Sequence, residues 1–331
     1  MSGTEHRILA PPQRSAKILR ALARALVIAC AVSTVVAFAG PWHWYADLFS
    51  HFRVQYFTAC AIAAPFLLYR RMWVSAVFAV VVSVVNASVI FPHLQQTIVH
   101  QPAPTSTRSL RIVSFNMLQG NTRTADVEEF VRSSGADLLV FQEVTPTLAE
   151  VLQRCSDIYP TQFLRPRKDS KGAALLTRLP ARNVGFEPFP GQDRIGAVTA
   201  EIDLPGSSVN VFGIHSHKPT KKKDAASQLA YFAWLSQRGK EFRAQGRPLI
   251  VLGDFNATPW STPFRKFAEQ SELLDTSRGV VFGVTWSFYL PYRLMIDHAF
   301  VSPEWRLVSR SVGPGLGSDH RPLILDLAVI R

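Results

Sequence analysis

Two side chains set two residues apart, Asp254 and Asn256, lie within the stretch Val251-Leu-Gly-Asp254-Phe-Asn256-Ala-Thr-Pro259. The residues before them, 248–252, form a short run of Leu, Ile and Val bounded by Pro and Gly, which predicts a buried strand. Gly253 then lets the backbone turn closely. On an extended chain residues two apart point to the same side, so the carboxylate and the amide are expected to project together from the strand's carboxyl end. That directs one acceptor and one amide at a single point. The competing reading is a plain turn, in which Asp and Asn bond to their own backbone.

Other strand ends carry side chains of the same kind. A strand over 110–115 ends in Asn116, one over 137–141 runs into Gln142-Glu143, and one over 209–214 ends in His215. Asp297-His298 lies in a strand over 295–301, and Asp319-His320 stands just before the last strand, 322–328. A single Glu or His at a strand end is more often structural than catalytic. Their order along the chain carries the signal.

The elements that must position these residues read as a mixture. Residues 124–134 have helical spacing with early acids, and Gly135 follows as a stop. Thr145-Pro146 opens a second helix, with Pro at a favoured first position. Residues 173–177 and 197–202 read as strands, 224–244 as a long helix stopped by Gly246, and 263–270 as a short helix. Eight or more strands with interspersed helices and hairpin-length connections fit neither regular βαβ alternation nor an all-β sandwich. Two packed sheets covered by helices fit. The three cysteines, Cys30, Cys60 and Cys155, form no disulfide or zinc spacing, so Cys155 is expected to pack as a small hydrophobe.

With 331 residues and 47% hydrophobic content, the chain is long enough for one large domain and an appendage. The apolar excess lies between residues 24 and 91. The net charge of +12 divides unevenly: residues 1–104 hold 8 Lys and Arg against 2 Asp and Glu, while residues 105–331 hold 28 against 22. Half of the basicity thus belongs to the apolar part, which weakens the case for a polyanionic partner.

Residues 1–24 are predicted to be a basic cytoplasmic segment and residues 25–91 three transmembrane helices, near 25–40, 53–69 and 72–91. Residues 92–107 read as a linker and 108–331 as the second domain. Ala37-Phe-Ala39 before Gly40 resembles a signal-peptide cleavage site, but two further apolar segments favour retention. Trp42, Trp44 and Tyr45 suit a membrane interface. The cations fall in the amino terminus and at Arg70-Arg71, whereas 42–51 and 92–107 hold no Lys or Arg, so the second domain is expected outside the cytoplasm.

In combination, Ser114-Phe-Asn116, Phe141-Gln-Glu143, Gly213-Ile-His215, Gly253-Asp-Phe-Asn256, Ile296-Asp297-His298 and Gly317-Ser-Asp319-His320-Arg-Pro322 resemble the endonuclease/exonuclease/phosphatase superfamily, in that family's order. The group includes pancreatic-type deoxyribonucleases, abasic-site endonucleases, neutral sphingomyelinases and inositol polyphosphate 5-phosphatases. The resemblance covers roughly residues 108–331, and three spans ahead of such a domain resemble a group of bacterial membrane proteins. It implies an α/β four-layer sandwich, two packed mixed sheets flanked by helices, with its site at one rim and cation-assisted hydrolysis of phosphate esters.

Within that resemblance each residue receives an expected role. Glu143, Asp254 and Asp319 brought to one rim would repel and protonate unless a cation held them ionised. Oxygen ligands suit Mg²⁺, with Mn²⁺ as a substitute, so Glu143 is expected as a direct ligand with Asn116 and Asp319 helping. Asp254 would deprotonate the attacking water and Asn256 would donate to a phosphate oxygen or fix that water. The resemblance implies that Asp297 orients His320, which stabilises the phosphorane, and that His215 protonates the leaving oxygen or contacts the phosphate. His217 and His298 are the adjacent alternatives.

Lys218 and Lys221 to Lys223 read either as a phosphate-steering patch or as a solvated loop, and Trp260, Trp286, Phe288, Tyr289 and Tyr292 as groove-lining or packing aromatics. The substrate class is expected to be nucleic acid, with phospholipid or sphingomyelin as the rival and a phosphomonoester behind them. A catalytically silent membrane receptor is the alternative outside catalysis, although every motif position is filled.

Overall fold

The computed structural model describes residues 13–95, 109–280, 283–287 and 293–329. Phe288, Tyr289, Tyr292, residues 1–12 of the basic amino-terminal segment and residues 96–107 of the expected linker lie outside them. The chain begins with α1 (Gln13–Phe38), α2 (Trp44–Asp47), a 3₁₀ turn (Leu48–Phe52), α3 (Arg53–Tyr69) and α4 (Trp73–Gln95). The last of these carries the helix through Pro92 into residues expected to be linker.

Two of the apolar helices, over Ser15–Phe38 and Trp73–Gln95, are long and apolar enough to cross a bilayer by length and composition. The second of the three expected spans, α3, is 17 residues with Pro65 inside, at the lower limit of the about 17–25 residues a span takes, and does not join the two helices that pass by length and composition. Its first residue, Arg53, is buried, with its guanidinium over the Phe38 ring and one N–H on Asn86. Only 22% and 33% of the most apolar stretches of α1 and α4 are buried, so these helices present Val32, Val35, Val74, Val77 and Phe78 outward. A soluble helix pair turns such residues inward.

The rest of the chain alternates strands and helices. Its first part contains β1 (Leu110–Asn116), α5 (Thr124–Ser133), β2 (Leu138–Gln142), α6 (Pro146–Gln153), β3 (Thr161–Arg165) and β4 (Ala173–Thr177). Next come β5 (Ala181–Phe189), β6 (Gln192–Leu204), β7 (Ser207–His215), α7 (Lys222–Ala244) and β8 (Leu249–Asp254). The last part contains α8 (Thr262–Gln270), β9 (Leu274–Asp275), β10 (Asp297–Val301), β11 (Trp305–Val312) and β12 (Leu323–Val329). They form two six-stranded sheets, ordered β11-β12-β1-β2-β4-β3 and β5-β6-β7-β8-β10-β9.

Each sheet is mixed: β1 pairs β2 in parallel, β7 pairs β8 in parallel, and the other pairings are antiparallel. The sheets pack face to face through Ile112, Val140 and Leu175 on one side and Val198, Val211 and Leu252 on the other. Gly213 is required in that layer, because a Cβ would strike the side chains of Val140 and Val198. The outer face of the first sheet is covered by α5 and α6 through Val127 and Leu148, and that of the second by α7 and α8 through Phe232 and Phe267. Each such fully buried Leu, Val or Phe contributes about 1.5–3 kcal/mol. The result is the α/β four-layer sandwich with two packed mixed sheets.

This topology explains why distant residues meet. The parallel pairs β1/β2 and β7/β8 deliver four carboxyl ends to one rim, and the register places Asn116 opposite Gln142 and His215 opposite Asp254. Strands β10 and β12 run the other way, so their first residues start from that rim; Asp297 lies opposite Asp254.

Candidate active site

Asp254 ends β8, and the residue before it decides how closely β7 and β8 approach. Gly253 has φ +147°, and a Cβ there would collide with the Ile214 carbonyl. Beyond Asp254 the chain is not extended, because Asn256 takes a left-handed φ of 47°. Its backbone N–H donates to Asp254 Oδ1 at 2.8 Å and its side-chain amide to Oδ2 at 3.2 Å. The local turn therefore forms, and it is what aims the two side chains together. Glu143 is likewise left-handed at φ 59°, a conformation that costs a non-glycine residue about 1–3 kcal/mol and concentrates at functional sites.

Asp254 Oδ2 is the meeting point. Asn116 Nδ2 donates to it at 3.1 Å and also reaches Glu143 Oε1 at 3.3 Å. His215 Nε2 lies 3.5 Å from the same oxygen and 4.0 Å from Glu143 Oε1. His320 Nε2 stands 3.7 Å away, while its Nδ1 is 2.9 Å from Asp297 Oδ2. Glu143 Oε2 accepts from the Gln119 backbone N–H at 2.9 Å. Ser318 Oγ ties the last loop to the first strand, donating to the Asn116 carbonyl at 2.7 Å and accepting from His320 N–H at 3.0 Å.

Burial and neighbouring charge set the ionisation. Burial pushes the Asp254 carboxyl up to about 7, with His320 opposing and Asp297 adding to the rise. For His320, burial disfavours the charged form, but Asp297 and then Asp254 outweigh it and raise the imidazole to about 9. His215 is held well below the usual histidine range, first by burial and then by Lys171 and His320. The site thus holds one imidazolium and one neutral imidazole.

Seven of the eight expected residues, Asn116, Glu143, His215, Asp254, Asn256, Asp297 and His320, are brought together. Asp319 stands at the edge, its Oδ2 accepting from the Trp286 indole N–H at 2.9 Å. Lys218 Nζ lies over that indole, 5.0 Å from a ring centroid, and Lys218 and Lys221 to Lys223 are exposed. His298 faces away, buried against Phe255 and Phe264 with Nε2 on the Ala257 and Met295 carbonyls. Trp260 is a packing residue, buried edge-on against His93.

Sequence reasoning missed Lys171. Burial lowers its ammonium from the ordinary lysine value, while Asp254 and Glu143 act in the opposite direction. With Gly172, whose absent Cβ makes room for the Val144 backbone, it lies between β3 and β4 beside His215. The signal was the Asp169-Ser-Lys171-Gly172 turn ahead of the apolar run 173–177. Lys171 also borders a cleft of about 540 Å³ lined by Asp169, Asp193, Arg194 and His217.

A cation has two candidate sets of ligands. Ligand atoms of Asp254, Asp297 and His320 lie within 4.8 Å of one another. There, however, His320 Nδ1 is already bound to Asp297, and the imidazole is held protonated. The other set, the oxygens of Glu143 and Asn116 with Asp319, is of the kind that suits a hard divalent ion, with Asn116 Oδ1 here accepting from the Leu118 N–H at 3.1 Å and Asp319 Oδ2 from the Trp286 indole.

Two sheets back to back with acids, amides and imidazoles gathered at one rim define the class, and the sequence comparisons agree. Residues 113–320 match the profile of the Endonuclease/Exonuclease/phosphatase family, more than half of the chain, and the protein belongs to that family. The chain is 26% identical over 242 residues to the UPF0294 protein plu0699 of Photorhabdus laumondii, covering 68% of this chain and 86% of that protein. It is also 26% identical over 160 residues to an inositol phosphosphingolipids phospholipase C of Saccharomyces cerevisiae, covering 42% of this chain but 34% of the yeast protein.

Solved structures share the fold. The D. rerio TDP2 complex with a single-strand DNA product has a TM-score of 0.57 at 17% identity, covering 66% of this chain and 98% of that one. Sphingomyelinase C from Streptomyces griseocarneus has 0.51 at 17%, covering 68% and 100%. Hydrolases of this family act on phosphate esters.

Proposed function

We propose that the protein is a membrane-anchored, divalent-cation-dependent phosphodiesterase with its catalytic domain outside the cytoplasm. The observation that carries this reading is the convergence on Asp254 Oδ2 of Asn116, His215 and the His320–Asp297 pair. A general base works best with a pKa near the operating pH, and Asp254 at about 7 meets that condition. It takes the proton of the attacking water, which Asn256 helps to hold. His320, kept cationic by Asp297, stabilises charge on the phosphorane oxygens and can return a proton to the leaving oxygen. His215, being neutral, orients the phosphate rather than supplying the proton.

Mg²⁺, or Mn²⁺ in its place, would be held by Glu143 and Asn116 with Asp319 assisting. When bound, it supplies charge neutralisation for phosphate oxygens. The anchor is supported by the outward apolar faces of α1 and α4, and the orientation by the cations at the amino terminus and Arg70-Arg71.

The test is turnover of bis(p-nitrophenyl) phosphate by the purified full chain. Hydrolysis that requires Mg²⁺ and is lost in Asp254→Asn with the fold intact supports the proposal. Undiminished hydrolysis in Asp254→Asn and His320→Ala would remove these roles, and no hydrolysis at all would favour a silent receptor.

A further inference from the structure

We infer that the substrate is a phosphodiester lipid of the bilayer, reaching the site from the side of the helical bundle and placing its polar head group in the cleft between Lys171 and Arg194. This rests on the anchored phosphodiesterase reading above.

The helical bundle is joined to the catalytic domain at the active-site rim. Asp47 Oδ1 accepts from the Thr262 N–H at 2.8 Å, His51 Nδ1 from the Thr258 N–H at 3.3 Å, and Gln55 Nε2 donates to the Arg293 carbonyl at 3.0 Å. At the end of α4, the His93 carbonyl accepts from the Gly279 N–H at 2.9 Å. Thr258 lies on the loop after β8, Thr262 opens α8 and Arg293 precedes β10, so the contacts flank the two strands that carry Asp254 and Asp297. Thr258 is four residues past Asp254, so the chain can separate the two by no more than about 15 Å. The same end of the bundle bears Trp42 and Tyr45, 84% and 54% exposed, which suit the head-group layer.

The sheet order then fixes a direction across the rim. The bundle is bonded to the segments that follow β8 and β9 and precede β10, and α2 also packs on α7, whereas the cleft lies by the β5–β6 turn. His215 and Asp254, on β7 and β8, stand between them. A molecule lying across the rim therefore has one end at the membrane side, its phosphate at the site and its other end in the cleft. About 540 Å³ suits a head group, and the lining is balanced: Asp169 and Asp193 against Lys171 and Arg194. With Asp169 paired to Arg167 and Arg194, the lining carries no excess of cations to draw a nucleic-acid backbone, which disfavours the substrate ranked first by the sequence.

The experiment uses the full chain reconstituted in vesicles of phosphatidylglycerol and phosphatidylethanolamine. Single-stranded DNA and bis(p-nitrophenyl) phosphate are supplied separately, with Mg²⁺. We expect head-group release from vesicle lipid at least about tenfold faster than cleavage of DNA phosphodiesters, a transition-state preference of about 1.4 kcal/mol. Faster cleavage of DNA, with the small diester also hydrolysed, overturns the lipid inference and leaves the phosphodiesterase reading standing. No hydrolysis of any of the three overturns both.

Orientation is read independently from spin labels at Thr220→Cys, exposed on the loop after β7, and Ser207→Cys, exposed on the β6–β7 turn at the opposite end. A paramagnetic head-group lipid should relax the label at 220 more strongly than the one at 207. The reverse order would overturn the inference even with lipid turnover intact.

Discussion

Nδ1 of His320 stands 2.9 Å from Oδ2 of Asp297, although 22 residues lie between them in the chain and both side chains are buried. The contact joins the first residue of β10 to the loop before β12, hence one sheet to the other. The partnership fixes the ring orientation and keeps the imidazole charged, so Nε2 faces the site as a donor.

The expected consequence is a turnover defect rather than a binding defect. Asp297→Asn should lower kcat by about 10²–10⁴-fold, the usual range for a positioned acid–base group, and leave KM within a small factor. Steady-state kinetics on bis(p-nitrophenyl) phosphate checks this, with thermal melting to show that the fold survives. A rise in KM with kcat unchanged would mean that the pair serves binding alone.

Glu143 tests the cation. Chelation should abolish turnover and added Mg²⁺ should restore it. Glu143→Gln keeps the shape but removes the charge, so half-maximal activity should require at least about tenfold more Mg²⁺, by analogy with the 10–100-fold effects of weaker outer partners. A metal titration of both proteins, read by activity and by calorimetric binding, settles the matter. An unchanged midpoint would move the ion to the Asp254, Asp297 and His320 cluster.

The strands legible in the sequence were the inner ones. All eight interior strands, among them β1 with Asn116 and β8 with Asp254, read as apolar runs because they are covered on both faces. The four that escaped notice, β3, β5, β9 and β11, are the four sheet edges. Edge strands carry polar side chains and break alternation, as in the half-exposed β5 with its register shifts. The site was legible for the same reason, since its residues end inner strands. Lys171 lies on a turn, where no periodicity marks it. The ionisation of His215 depends on burial beside Lys171, which spacing alone does not encode.

Arg111 and Asp326 face each other across β1 and β12, bonded at 2.8 and 3.2 Å, with Ser309 Oγ donating to Asp326 Oδ2. The Arg111 guanidinium holds the Asp326 carboxyl below its ordinary value. The folded form therefore binds this proton less readily than the unfolded chain does. The pair's stabilisation is fully present above the unfolded carboxylate range, about pH 4, and is lost as the pH falls through the lower folded value. Asp326→Asn should accordingly melt lower than the wild type at pH 7, with the gap closing on acidification below about pH 4. Melting curves across that range check it, and a gap that widened toward acid would contradict the pairing.

Asp47 offers a test of the joint between the helical bundle and the rim. Its Oδ1 caps the first N–H of α8, at Thr262, while the neighbouring His51 holds the Thr258 N–H. Thr258 and Thr262 are buried, so removing the acceptor leaves a donor without water to replace it. The cost for such a group is about 1–3 kcal/mol. Asp47→Ala should thus speed amide exchange in 257–265 while leaving that of β1 and β2 unchanged, and Asp47→Asn, which keeps an acceptor oxygen, should restore most of the protection. Because this segment leads out of Asn256, the looser loop should also lower kcat on the small diester by a few-fold. Equal exchange in Asp47→Ala and the wild type would show that the bundle rests against the catalytic domain without bracing it.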